Sequence, residues 1–244
     1  MKNLEYFFLF LALIAEIVGT IGGFGSSVFF VPLANFYFDF QSVLALTALF
    51  HFSSNLSKIA LFRRGLNKNL LIYIGIPSII LVIIGGVLTK LFKTDLLEIA
   101  LGAFLVILSL VLLLKSEWVL KPNKINALLG GSVSGFIAGL LGTGGAIRGL
   151  TMAAFNLEKS SFIATSAFID FFVDSSRTIV YYLNGYMKKE LFIYIPFLFV
   201  IGFIGTYIGR YLLKFISQDN FKRVSLGLIL LIGLATLIKI IFTH

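Results

Sequence analysis

Gly19-Thr20-Ile21-Gly22-Gly23-Phe24-Gly25-Ser26-Ser27 breaks a long apolar run near the start of the chain, and Gly139-Leu140-Leu141-Gly142-Thr143-Gly144-Gly145-Ala146 breaks another about 120 residues later. The glycines coincide at 19/139, 22/142 and 25/145. Glycine inside an apolar run frees backbone N–H and C=O groups, which a membrane tolerates only where they are buried in protein or line a cavity. Paired interruptions in two halves of one chain therefore point to a transporter's central binding site.

The surrounding composition agrees. Of 244 residues, 59% are hydrophobic and 13% charged, far from the roughly 25% charged of soluble domains. Apolar stretches of about twenty residues match a hydrocarbon core of roughly 30 Å. They fall at Gln41–Phe62, Leu70–Phe92, Leu96–Leu114, Phe162–Leu183, Leu191–Leu213 and Phe221–Phe242, with the broken segments Leu4–Phe38 and Ile125–Phe155 besides. The reading is an all-α integral membrane protein. The net charge of +9 sits mostly in short connections between spans, which is membrane topology rather than a nucleic-acid surface. Without cysteine, disulfides, thiolate catalysis and cysteine metal sites are excluded. No cofactor or metal is expected. The start, Met1-Lys2-Asn3, lacks a small-residue cleavage site and is read as structure.

The same shift of 120 pairs Gly65 with Gly185, Lys68 with Lys188 and Gly85 with Gly205, and after a slip of five Ala100-Leu101-Gly102 meets Ser225-Leu226-Gly227. Two repeats of four elements follow, each a broken segment and three spans: residues 1–114 and 125–244, joined by a cytoplasmic linker at 115–124 containing Trp118 and Pro122. Leu4–Phe38 as one helix would reach roughly 52 Å, too long for one crossing but suited to two half-helices. Length thus favours a re-entrant hairpin, which makes the repeats inverted and puts the N-terminus outside; eight simple crossings make them parallel and put it inside. The Lys and Arg balance does not decide between these, but both place Arg63, Arg64, Lys68 and the linker in the cytoplasm.

Ionisable residues inside spans cost about 2.5–3.5 kcal/mol each at a helix centre and are functional candidates by default. Asp170, Asp174 and Arg177 project from one helix face at spacings of four and three. Arg148 follows the second break by three residues, near the first turn of the returning half-helix, where guanidinium, backbone N–H groups and helix dipole together suit an anion. Pairing of these charges with one another for packing alone is the structural alternative. Glu16 precedes the first break; an uncompensated carboxylate there is a candidate for proton coupling, unless an arginine pairs with it. His51, Asn55 and Lys58 share one helix face, with Lys58 near the span end, where it is expected to snorkel. Hydroxyls near the breaks, Ser26, Ser27, Thr143, Thr165 and Ser166, can serve substrate oxygens or bond back to the helix.

The order of Gly22, Gly23 and Gly25, then Val31-Pro32, then a helix with Ala164-Thr165-Ser166, with Gly142, Gly144 and Gly145 in the second half, resembles the TauE/SafE sulfite-exporter family. The resemblance spans the whole chain. It implies a gradient-coupled transporter, often an exporter, of small sulfur-containing anions such as sulfite or organosulfonates, with the breaks forming the substrate site. Arg148-Gly149-Leu150 replaces the family's apolar run ending in Val-Pro, and Asp170 and Asp174 stand where small or amide residues are usual.

The expected substrate-binding set is Arg148, Arg177, Gly23, Gly25, Ser26, Ser27, Thr143, Gly144, Gly145, Asn55 and Ser166, and the coupling or gating set is Asp170, Asp174, Glu16 and His51. The expected partners are a small anionic substrate and the bilayer of a bacterial or archaeal inner membrane, with a proton or Na+ as coupling ion and a homodimer as an open option. An anion channel is the alternative. An intramembrane aspartyl hydrolase is less favoured, because it needs two facing carboxylates sharing a proton, whereas Asp170 and Asp174 lie on one helix beside Arg177.

Overall fold

The computed structural model describes residues 2–22, 25–62, 65–114, 120–215 and 218–243. Gly23, Arg63, Arg64 and half of the linker, Trp118 included, lie outside the described residues. The chain is helical, with no strand among the described residues. Among the described residues ten helices follow in order: α1 Lys2–Gly22, α2 Ser27–Ala34, α3 Phe40–Leu61, α4 Lys68–Leu91, α5 Thr94–Leu114, α6 Lys124–Leu141, α7 Gly145–Ala153, α8 Lys159–Leu183, α9 Lys189–Leu212 and α10 Gln218–Thr243. Four of them, α4, α5, α6 and α9, are long and apolar enough to cross a membrane by length and composition. On α9, Phe192, Phe197, Val200, Phe203, Tyr207 and Tyr211 are exposed, an apolar stripe fit for lipid.

Both broken segments are helical hairpins. After its break the first returns along α1, so that Phe8 touches Phe30 at 5.8 Å and Phe38 at 5.0 Å between ring centroids. The second returns along α6: the Ser134 hydroxyl donates to the Gly144 carbonyl at 2.8 Å, and a Cβ on Gly130 would lie 2.1 Å from the Thr151 hydroxyl. Gly142 ends α6 with φ of 77°, its N–H bonded to the Ala138 carbonyl, the left-handed cap that glycine adopts without a Cβ penalty.

Proline shapes two of the spans. Pro77 lacks the N–H that would bond one turn back, and α4 takes a π turn over Leu71–Gly75 just before it. In α9 the first turn, Lys189–Ile193, is 3-10 before Pro196.

Helix pairs cross between the halves of the chain. α4 packs on α6, α9 on α1, α3 on α8 and α5 on α10. Lipid is as apolar as leucine, so small residues that admit close backbone contact drive such crossings. On α6 the spacing Gly131, Gly135, Gly139 meets α4: Cβ atoms there would lie 2.5, 2.2 and 2.2 Å from the carbonyl oxygens of Ile74, Ser78 and Val82. Ser78 adds a hydroxyl bond to the Gly131 carbonyl at 2.9 Å. On α9 the glycines serve α1 instead, with Gly205 against the Glu16 side chain and Gly209 against Thr20.

Contacts between connections order the helix ends. Lys188 bonds Asp39 at 2.7 Å, Thr89 bonds Tyr186 at 2.8 Å, and Lys239 donates to the Asn35 carbonyl at 2.6 Å. The other ends of the same helices meet separately: Ser161 donates to the Gly65 carbonyl, the Asn67 N–H donates to Thr165 at 3.0 Å, and Lys124 lies over the Tyr73 ring. Hence α3 runs antiparallel to α8, and α4 parallel to it. Asp39 also caps α3, accepting from the Ser42 N–H at 3.1 Å. Partial burial alone would push its carboxyl up, yet the bonds from Lys188 and Ser42 hold it below the ordinary aspartate value.

Two outcomes are expected. Gly135→Ala, which forces the α4–α6 backbones apart, lowers thermal stability by roughly 1–3 kcal/mol, read by melting in detergent. Asp39→Ala costs about 1 kcal/mol at neutral pH. Because the Asp39 pKa is depressed, that difference is present above the ordinary carboxylate range and fades as pH falls through the depressed value.

Candidate functional site

The two hairpin tips meet. A Cβ on Gly25, which has φ of 81°, would lie 3.7 Å from the Gly145 Cα. Around this junction α1, α3 and α8 contribute a polar interior that their long apolar flanks insulate.

On the first tip, Glu16 is fully buried and saturated with donors. Its carboxylate accepts from Thr20 and Thr206 at 3.0 Å each and from Ser26 and Ser54 at 2.5 Å each, and pairs with Lys58 Nζ at 2.9 Å. Two expectations change here. Lys58 does not snorkel: it is 8% exposed and turns inward, also donating to Ser54 at 2.7 Å. Glu16 is not uncompensated, and its partner is a lysine rather than an arginine. The physical reason is that α3 presents Ser54, Asn55 and Lys58 to the tip, while Gly205 leaves room for the Glu16 side chain. His51 Nε2 lies 3.2 Å from the Ser26 hydroxyl. Since the single Ser26 hydrogen goes to Glu16, Nε2 carries the proton and donates.

On the second tip, Arg177 Nη2 pairs with Asp174 at 2.7 Å while Nη1 donates to the Gly142 carbonyl at 2.7 Å. The guanidinium thus holds backbone that the break released. Tyr181 does the same one turn earlier, donating to the Gly139 carbonyl at 2.7 Å. Asn55 joins the tips, its amide donating to Asp174 at 2.7 Å from α3. Arg148, in the first turn of α7, pairs with Asp170 and donates through Nε to Ser166 at 3.2 Å. The aspartates and arginines that share a helix face or follow the break are therefore assembled into ion pairs. Two donors remain over: Thr143 Oγ1 and Arg177 Nε are buried with no hydrogen-bond partner among the described residues.

A small cavity lies beside the junction, its lining including Gly19, Thr20, Gly25, Asn55, Lys58, Ser166 and Asp170. Of the expected binding residues, Gly25, Asn55 and Ser166 line it; Ser26, Ser27, Thr143, Gly144 and Gly145 are buried at the tips behind. Gly144 has no alternative, because a Cβ would lie 2.0 Å from the Ser134 carbonyl oxygen. No cluster of three metal-ligating side chains occurs among the described residues.

The sequence reading missed Lys58 as a site residue, and missed Thr20, Ser54 and Thr206 as partners of Glu16. The available signal was the shared face of His51, Asn55 and Lys58, a polar stripe too long to be left to lipid.

The sulfite exporter TauE/SafE profile matches residues 8–236. The chain belongs to the TauE/SafE family. No curated protein and no solved structure matches it. Membership in a transporter family together with the apolar helices makes this an integral, multi-pass membrane transport protein with a small anion as its substrate class.

Lys58→Met strands the buried Glu16 charge and costs about 3–5 kcal/mol, whereas pairing it with Glu16→Gln recovers part of that loss. A double-mutant cycle of melting temperatures checks both.

Proposed function

We propose that the protein is a gradient-driven secondary transporter, working as an exporter, for small sulfur oxyanions such as sulfite or organosulfonates, and that these bind where the two hairpin tips meet. The observation that carries this reading is the pair of unspent donors at the second tip. A buried hydroxyl and a buried guanidinium N–H without partners cost stability, and the oxygens of a sulfur oxyanion are acceptors suited to either. The N-terminal turn of α7 adds its backbone N–H groups and positive dipole end beside them. Arg148 provides a planar fork for the remaining oxygens once its carboxylate partner moves.

A carrier is favoured over a channel by the dense packing beside the junction. Phe30 and Phe50 pack there with tilted rings, 4.7 Å between centroids, and the space a Gly142 Cβ would need is filled by Leu44 and Val31. A hydrolytic dyad is disfavoured because Asp170 and Asp174 are each engaged by their own arginine.

We also propose that the chain is an inverted duplication with boundaries at 114 and 125, each hairpin being re-entrant. Support comes from the helix order of long, short and three long in each half, from Gly65 and Gly185 both at positive φ, and from the cross-half pairing of α1 with α9 and of α6 with α4. Eight simple crossings would put Asp39 and Lys188 on opposite faces of the membrane, although they are bonded. Cysteines introduced at Asp39 and at Lys188 should label from the outside and one at Lys121 from the cytoplasm. Labelling of Asp39 and Lys188 positions from opposite faces would refute the hairpins.

Arg148→Ala is expected to reduce sulfite or methanesulfonate binding at least a hundredfold, and Arg148→Lys to recover only part of it, since the fork geometry is lost. Wild-type affinity in a folded Arg148→Ala variant would remove Arg148 from the site.

A further inference from the structure

Among the described residues, three buried cations meet three carboxylates around the hairpin tips, Glu16 and Asp174 buried and Asp170 partly exposed, and each cation has one carboxylate: Lys58 with Glu16, Arg148 with Asp170, Arg177 with Asp174. The set is neutral as it stands. A bare anion entering it would leave an uncompensated negative charge in a low-dielectric interior, which is far costlier than entry of an anion with a proton.

We infer that each anion is carried together with one proton, and that the proton rides on Asp170, the carboxylate that holds the Arg148 guanidinium an incoming oxyanion needs. This rests on the reading of the site as an anion carrier. The three carboxylates differ in a way that selects Asp170. The Glu16 side chain is 0% exposed and held by four hydroxyls and Lys58; the Asp174 side chain is 3% exposed and held by Arg177 and Asn55. Asp170 alone of the three lines the cavity, with its side chain 17% exposed.

Arg148 is sealed, its side chain 3% exposed, so it cannot be left without a negative partner and must exchange one for another. The displaced Asp170 then finds no spare cation. On α3, Lys58 is committed to Glu16; on its own helix, Arg177 is committed to Asp174, which is itself a like charge one turn away. The first tip brings only Glu16, and His51 behind it donates to Ser26. The remaining neighbour, α4, has no charged side chain between Lys68 and Lys90, and Tyr73 is its sole titratable group in that stretch. An O–H bond therefore forms between an Asp170 oxygen and a proton that enters through the cavity from hydronium in the bulk solution, whose O–H bond breaks to leave water. No electron is transferred, and the site's net charge is unchanged with the monoanion bound.

Methanesulfonate tests this, because its charge is constant across the working pH range. Calorimetry of wild-type protein in two buffers of different ionisation heat should give about one proton taken up per anion, and affinity should fall roughly tenfold per pH unit above the Asp170 midpoint. Asp170→Asn should bind with no proton uptake and a flat pH profile, and Asp170→Glu should restore both. Wild-type binding without proton uptake would overturn the coupling and leave the carrier reading standing, as would undiminished uptake in Asp170→Asn. If folded wild-type protein binds neither methanesulfonate nor thiosulfate, the anion site itself falls, and the coupling with it. Should Asp170→Asn not fold, the wild-type proton count decides alone.

Discussion

A helix broken inside a membrane must find partners for the backbone groups it releases, and the bond from Arg177 to the Gly142 carbonyl meets that need here. The same guanidinium is neutralised by Asp174, and Asp174 is in turn reached from α3 by Asn55. Backbone satisfaction, charge balance and helix position are thus one network. Without a cation at this point, the carbonyls at the end of α6 would face apolar neighbours, and the hairpin would have no reason to stop where it does.

The first hairpin solves the same problem with different chemistry. A carboxylate, four hydroxyls and a lysine replace the arginine and the aspartate, and the close approaches come from Gly19 on α1 against Ser26 and from Gly205 and Gly209 on α9 against Glu16 and Thr20. The two tips are therefore alike in shape and unlike in the groups they carry. One is a sealed carboxylate held by hydroxyls and a lysine; the other holds two arginine–aspartate pairs and has donors left over.

Much of this was legible in the sequence. The apolar runs and the glycine breaks point to the helical class and to where the helices are interrupted, and the spacing of Asp170, Asp174 and Arg177 to their shared helix face, because helix periodicity and the cost of free backbone act locally. What was not legible depends on neighbours remote in sequence. Lys58 reads as a snorkelling residue near a span end, and only the arrival of Glu16 from 42 positions earlier turns it inward. Thr206 is similarly mute until α9 lies on α1. The triple glycine of α6 is visible in the sequence, but its partner surface on α4 is not, since Ile74, Ser78 and Val82 take part through backbone carbonyls rather than side chains.

The cross-half pairing has a consequence for synthesis. While the first half emerges from the ribosome, α1 and α4 lack α9 and α6, so Glu16 is without Thr206 and the backbone of α4 is without its glycine partner. Neither half can complete its own packing. The nascent first half must wait in the bilayer with its small-residue surfaces open, and assembly becomes cooperative over the whole chain rather than sequential. That waiting interval, during which a buried charge has only part of its shell, is where such a protein is most exposed to membrane quality control.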